Sequence, residues 1–391
     1  MAASSPEPRA GHPYHMHDAI YAQPGALRLV ARGQGEAIEA AAARLREMDR
    51  VLLTGVGTSW HAALVGELLL ARVGGLGHRA RAFHAFELAR YWPAPEARTG
   101  VIGVSHRGTN RDTLAALASA RASGGTGVAI MGKGTDDVAT ADWTLRTVDQ
   151  ESSGAHTVSY TSALTLLATL AAAVGGRDDA RRQLQEIPDM LALLLGQESW
   201  EDLAARFADR RVYWFVGGGP NTATAWEAAL KMCEASHAAA VGFNCEQFLH
   251  GAWAALERED MVVLVAPPGP SHERCVTVAR VAKEIGAPLV ALVREDDREI
   301  APLAAETIAL PEVDELLSPI LPPTGALWRR CRPSVRPARG RRAWVGGGDR
   351  TRSRPCGDGR PRAQVEPSRR WVASACRVVR RSLPPPARPR R

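Results

Sequence analysis

The sequence predicts an α/β protein made of tandem domains, each a doubly wound parallel sheet with helices on both faces. Apolar strand-like runs alternate with helix-periodic segments through 50–175 and again through 195–312. Each half opens with a strand, a glycine-rich turn and a helix, "LLTGVGTSWHAAL" and "WFVGGGPNTATAWEAAL". Each half then has a second strand running into a helix, "IGVSHRGTNRDTL" and "VLVAPPGPSHERC". The pattern reads as an internal duplication of a unit of about 120 residues, within the usual domain size. The expected layout is a lead-in over 1–34, a first domain over 35–177, a second over 178–320, and a tail over 321–391.

In the first half, "RVLLTGVG" (50–57) reads as a buried strand and 58–73 as a helix with apolar 3.6-residue spacing. Segment 78–85 is a shorter strand, 99–106 a buried strand, and 110–123 a helix. Strands follow at 125–133 and 142–148, and an apolar helix starting at "VSYTSAL" ends at Gly175-Gly176. In the second half, 210–220 is strand plus glycine turn and 222–240 is helix. A strand (260–269), a helix (271–286), a strand (287–295) and a last short strand (305–311) complete it.

From about 321 the text turns aperiodic and rich in Arg, Pro and Gly. Residues 321–391 hold 20 Arg, no Lys and three acidic residues, so they carry +17 of a chain whose net charge is +7. The body, 1–320, therefore carries −10, which argues against nucleic acid as its partner. The tail reads either as a basic disordered segment or as out-of-frame translation of a GC-rich coding sequence. No apolar run reaches the ~18 residues of a membrane helix, and the N-terminus lacks a basic start followed by an apolar core. The expectation is a cytoplasmic protein without membrane attachment. Six cysteines, at 233, 245, 275, 331, 356 and 376, include no CxxC pair, so they read as free thiols and no metal site is expected.

Two constellations carry chemistry. In doubly wound sheets ligands bind beyond the carboxyl ends of the strands. "TGVGTS" and "SHRGTN" are both strand ends entering helices, with free N–H groups, hydroxyls, and Gly57 and Gly108 for close backbone approach. Alone, each turn reads as a helix cap, since Thr58, Ser59 and Asn110 are ordinary capping residues. Together they suit a phosphate. The second constellation is "LKMCEASHAAAVGFNCEQFLHGAW". Lys231 and Glu234 share a helix face at i, i+3, and His250 follows in a separate helical stretch. An amine, a carboxylate and an imidazole suit proton transfer beside a carbonyl. The bland alternative, a surface ion pair and a packed histidine, weighs equally at this point.

These residues resemble sugar isomerase (SIS) domain proteins, in particular the isomerase half of glutamine–fructose-6-phosphate aminotransferases. The similarity runs over about 14–320. "MHDAIYAQPGAL" looks like the family's M-x-x-E-I-x-E-Q-P opening, "GVGTSWHA" like its C-G-T-S-x turn, and "SHRGTNRDT" stands where S-Q-S-G-E-T-x-D-T stands. "GAHTVSYTSAL" resembles G-V-A-S-T-K-A-F-T, "AWEAALKMCEAS" resembles A-L-E-G-A-L-K-L-K-E-I-S, and "EQFLHGAW" resembles G-E-L-K-H-G-P.

The resemblance implies a phosphorylated sugar or amino sugar held by Thr58, Ser59, Ser105, His106, Arg107, Gly108, Asn110 and Thr157. It implies Glu234 as the base between C1 and C2, Lys231 as its neighbour, and His250 as the ring-opening group, contributed across a homodimer. It implies isomerase or deaminase chemistry without a cofactor. The alternatives are a phosphosugar sensor without turnover and an inactive truncated product. Three departures stand out. His106-Arg107 and Thr109-Asn110 replace Gln-Ser and Glu-Thr. A glutaminase half with its N-terminal Cys is not expected, since no Cys precedes Cys233. The last lysine is Lys283, so the family's C-terminal lysine has no counterpart.

Overall fold

Val51, Leu53 and Thr54 lie buried in the first strand, β1 (Arg50–Gly55), which pairs in parallel with β2 (Ala80–His84) on one side and β3 (Thr99–Val104) on the other. β4 (Thr126–Met131) and β5 (Trp143–Arg146) complete a sheet of order β2-β1-β3-β4-β5. β3 and β4 are buried at every position, as strands covered on both faces must be. The computed structural model describes residue 9 and residues 13–197 and 200–321. Within them a second parallel sheet holds β6 (Tyr213–Gly217), β7 (Ala240–Asn244), β8 (Met261–Val265), β9 (Leu289–Arg294) and β10 (Glu306–Leu310). Its order is β10-β9-β8-β6-β7. Read from its own first strand, each sheet is 2-1-3-4-5, a doubly wound order whose switch point lies between the first and third strands. The two sheets are thus copies of one topology.

The helices follow from the same alternation. α1 (His15–Leu29) and α2 (Gly35–Arg46) precede β1. α3 (Thr58–Leu68) follows β1, the short α4 (Ala85–Arg90) follows β2, and α5 (Arg111–Ala122) follows β3. α6 (Val158–Gly175) and α7 (Asp178–Leu195) connect the halves, with α8 (Trp200–Arg206) before β6. α9 (Asn221–Ser236), α10 (Cys245–Leu249) and α11 (His272–Ile285) repeat the positions of α3, α4 and α5.

Several expectations are corrected. Part of the lead-in forms α1, which carries Pro24 inside and packs on α6 and α7. The helix expected over 222–240 stops at Ser236, because His237 turns left-handed (φ 52°) and Ala240 joins β7. The alanines at 238–240 favour helix, but pairing of Ala240 with Tyr213 wins. α6 is long and apolar enough to cross a membrane by length and composition, against the expectation that no run reaches that length. Nearly all its residues are buried within the protein, as in a core helix. Of the expected tail, Leu321 is described and buried, and 322–391 lie outside the described residues.

Candidate functional site

The switch point of the first sheet is built from the ends of β1 and β3. A Cβ on Gly55 would lie 2.6 Å from the Ser59 backbone, so only glycine lets α3 begin this close to its strand. Gly57 makes the turn at φ 58°. α3 then starts without a side-chain cap. Thr58 has a different partner: its hydroxyl donates to Glu227 Oε1 at 3.1 Å. Ser59 is half-buried beside it. At the second turn Ser105 is buried and Gly108 takes φ 67°. Asn110 does cap its helix, accepting from the Thr113 N–H at 2.9 Å and the Thr113 hydroxyl at 2.9 Å. Arg107 is exposed.

His106 and Thr157 are engaged with the loop before α6. His106 Nε2 accepts from the Glu151 N–H at 3.3 Å, and Nδ1 lies 3.3 Å from the Thr147 hydroxyl. Burial, then the neighbouring His156 and Arg107, bring its pKa down to about 4, so the ring is neutral at pH 7. Glu151 gathers the N-terminus of α6. Its Oε1 accepts from the Thr157 N–H (2.8 Å) and hydroxyl (3.0 Å), and its Oε2 from the Ser159 N–H (3.1 Å) and hydroxyl (2.7 Å). A carboxylate there also suits the helix dipole.

The second constellation is not a surface pair. Glu227, Lys231 and Glu234 line one face of α9, and Lys231 is only 1% exposed. Its Nζ lies 3.4 Å from Glu227 Oε1 and 2.5 Å from Glu234 Oε2. Glu227 is fully buried. Burial pushes its carboxyl up, but the hydrogen bond from His61, the Lys231 ammonium and the Thr58 hydroxyl together hold it below the usual glutamate range. His61 Nδ1 sits 2.7 Å from Glu227 Oε2. Of the two carboxylates flanking the ammonium, Glu227 is enclosed and Glu234 is partly open, its side chain 35% exposed.

The two constellations meet. Thr58 ties the first turn to α9 through Glu227. His156 is held below the ordinary histidine range first by burial, and it senses Glu151, Lys231, Arg107 and Glu234. The phosphate-type turns and the charged face of α9 therefore share one electrostatic neighbourhood. His250 stands apart. It ends α10, its Nε2 lies 3.2 Å from Glu246 Oε2, and its side chain is 61% exposed. Within one copy of the chain its described partner is Glu246 rather than Lys231 or Glu234.

Glu227 and His61 are the functional candidates that sequence reasoning missed. Glu227 precedes Lys231 by four residues, so its helix face was available as a signal. Its bond to His61 joins residues 166 positions apart, which no local pattern reveals.

The sequence signature of the SIS domain matches residues 44–173 and 207–327. The isomerising glutamine–fructose-6-phosphate aminotransferase of Thermococcus kodakarensis is 33% identical over 327 residues, covering 80% of this chain and 54% of that protein. The Gloeobacter violaceus enzyme of the same name is 32% identical over 333 residues, again covering 80% and 54%. The chain thus spans about half the length of the curated relatives it matches.

Among solved structures, the C-terminal domain of glucosamine-fructose-6-phosphate aminotransferase from Francisella tularensis superposes with a TM-score of 0.69 at 16% identity, over 82% of this chain and 94% of that one. Tagatose-6-phosphate ketose/aldose isomerase from Escherichia coli gives 0.68 at 17% identity, over 83% and 94%. At those identities the likeness establishes the fold. With both halves matched by one domain signature and both sheets wound alike, the chain belongs to the SIS domain family.

Proposed function

We propose that this protein binds a phosphorylated sugar or amino sugar at the switch point of its first sheet and acts on it by isomerase- or deaminase-type proton transfer. The observation that carries the reading is Lys231, buried between Glu227 and Glu234 and tied to the first turn through Thr58. A protein that only recognised phosphate would have no use for a buried ammonium and two carboxylates on the neighbouring helix, because burying such charges is costly.

In this reading the phosphate rests on the hydroxyls of Thr58, Ser59 and Ser105, the turn at Gly108 and the N-terminal N–H groups of α3 and α5. Arg107 adds charge from the rim, and Asn110 keeps the start of α5 in place. His106 and Thr157 line the site through the Glu151 loop. Glu234 takes the proton from one of C1 and C2 and returns it to the other, while the Lys231 ammonium stabilises the carboxylate and the charge developing on the substrate oxygen. His250 of the partner subunit opens the sugar ring in a cytoplasmic homodimer, which accounts for its exposure in a single copy. The domains run over 35–177 and 178–320. Relatives named for an isomerising aminotransferase support the substrate class.

The test compares thermal unfolding with glucosamine 6-phosphate and with glucosamine, alongside assay of fructose 6-phosphate release from the phosphate. Stabilisation by the phosphate alone, with turnover, is the expected result. Stabilisation without turnover makes the protein a sensor, and equal shifts from both sugars overturn the reading.

A further inference from the structure

His61 lies three residues after Thr58 in α3, so the two side chains share one helix face. Both reach across to Glu227 on α9, at 2.7 Å from the imidazole and 3.1 Å from the hydroxyl. The two Glu227 oxygens divide the work. Oε1 meets Thr58 and Lys231, whereas Oε2 meets the His61 Nδ1. A fully buried carboxylate cannot exchange a lost donor for water, so its orientation depends on the donors the fold provides. Lys231 is equally buried and is held between Glu227 and Glu234. A rotation of Glu227 must therefore move the ammonium, and with it the one partly exposed carboxylate of the set.

We propose that His61 is a positioning residue. From the first domain it fixes Glu227, and through Glu227 and Lys231 it fixes the reacting carboxylate Glu234 on the helix of the second domain. The inference rests on the proton-transfer reading above. His61 itself is hidden, its side chain 11% exposed with the Trp226 ring 6.3 Å away, and does not touch substrate in this scheme.

Two amide variants of the full chain separate this role from simple packing. His61→Asn places its amide where Nδ1 stands and keeps the donor to Glu227, whereas His61→Gln places it where Nε2 stands and loses that donor. With glucosamine 6-phosphate as probe, His61→Asn is expected to keep kcat within about threefold of the parent. His61→Gln is expected to lose about 10²-fold in kcat with KM little changed, because the displaced group is catalytic rather than phosphate-binding. Equal kcat in the two variants, or a loss carried by KM alone, overturns the proposal.

Crystal structures of both variants give a second readout that does not depend on turnover. The Lys231 Nζ to Glu234 separation is expected to open beyond about 4 Å in His61→Gln and to persist in His61→Asn. An unchanged pair in both overturns the positioning role. A parent that shows no turnover while the pair opens as expected overturns the proton-transfer reading instead.

Discussion

The two halves of the molecule share one winding order and one register, yet they hold different chemistry at matching positions. Gly55 pairs with His84 across β1 and β2, and Gly217 pairs with Asn244 across β6 and β7. Both glycines leave no room for a Cβ against the residue four positions on, Ser59 or Asn221. Counting from them, Thr58 matches Pro220 and Ser59 matches Asn221. The first turn thus keeps hydroxyls. The second buries Asn221, whose amide donates to the Ser318 hydroxyl at 2.8 Å.

At the other strand end, Gly103 and Leu264 face Thr54 and Val216, so Gly108 matches Gly269 and Asn110 matches Ser271. In the second half this cradle is filled by the protein's own carboxylate. Ser271 donates to Glu315 Oε1 at 3.0 Å, and a Cβ on Gly269 would lie 2.3 Å from the Glu315 carboxyl carbon. The helices show the reverse. Glu227 and Lys231 of α9 match Val65 and Leu69, both apolar and buried. Duplication supplied two switch points and two helices; the first half keeps hydroxyls at its turn where the second places its own Glu315, and the second half carries a charged helix face where the first is apolar.

The sharpest break of that comparison is Glu234→Gln, which keeps shape and loses the base. Turnover is expected to fall ~10²–10⁴-fold with phosphosugar binding retained, while Arg72→Gln at the matching place leaves turnover unchanged. Equal losses in a steady-state assay would erase the asymmetry. Next comes Lys231→Met, which strands Glu227 in the core. It should cost about 3–5 kcal/mol in urea unfolding, whereas Leu69→Met should cost under about 1.5 kcal/mol.

The ligand effect is smaller. Glucosamine 6-phosphate at a hundredfold its Kd should add about 2.7 kcal/mol. Ser59→Ala with Ser105→Ala should abolish most of that shift and Ser271→Ala none of it, as read by thermal unfolding.

pH separates the halves as well. His106, pulled down to about 4 in the folded state from 6.5, binds its proton less readily than in the unfolded chain. Its contribution is therefore complete above pH 6.5 and is lost as pH falls towards 4. His106→Gln should flatten that part of the stability curve; the matching Pro267 cannot titrate.

The smallest effect belongs to Glu315. Burial pushes its carboxyl up, more than the Ser271 hydrogen bond pulls it down. A raised acid favours the folded state when protonated and loses that advantage as pH rises through the folded value. Glu315→Gln should thus gain a few tenths of a kcal/mol at pH 7, discounted for its partial exposure, and nothing below the ordinary glutamate range. Denaturant midpoints at pH 4 and pH 7 check this.

Much of this was legible because strand and helix periods are local. The alternation over 50–175 needs only neighbouring residues to show a buried strand or an amphipathic turn, and the paired glycine turns mark where strands enter helices. β7 escaped because a five-residue edge strand containing Gly242, entered through three alanines, carries weak local preference, and its pairing with β6 decides it. Lys231 and Glu234 were legible as neighbours on one helix face, but spacing states which residues share a face and not what covers it.

The sequence by itself determined the parallel α/β architecture, its duplication and which hydroxyl, amine and carboxylate side chains stand at the strand ends and on one face of α9. Only the tertiary structure decided which cradle its own Glu315 occupies, that Lys231 is buried, and that His61 and Thr58 reach Glu227. The physical reason is range. Backbone propensity and side-chain periodicity act over a few residues, while burial and the charge it controls depend on surfaces brought together from opposite halves of the chain.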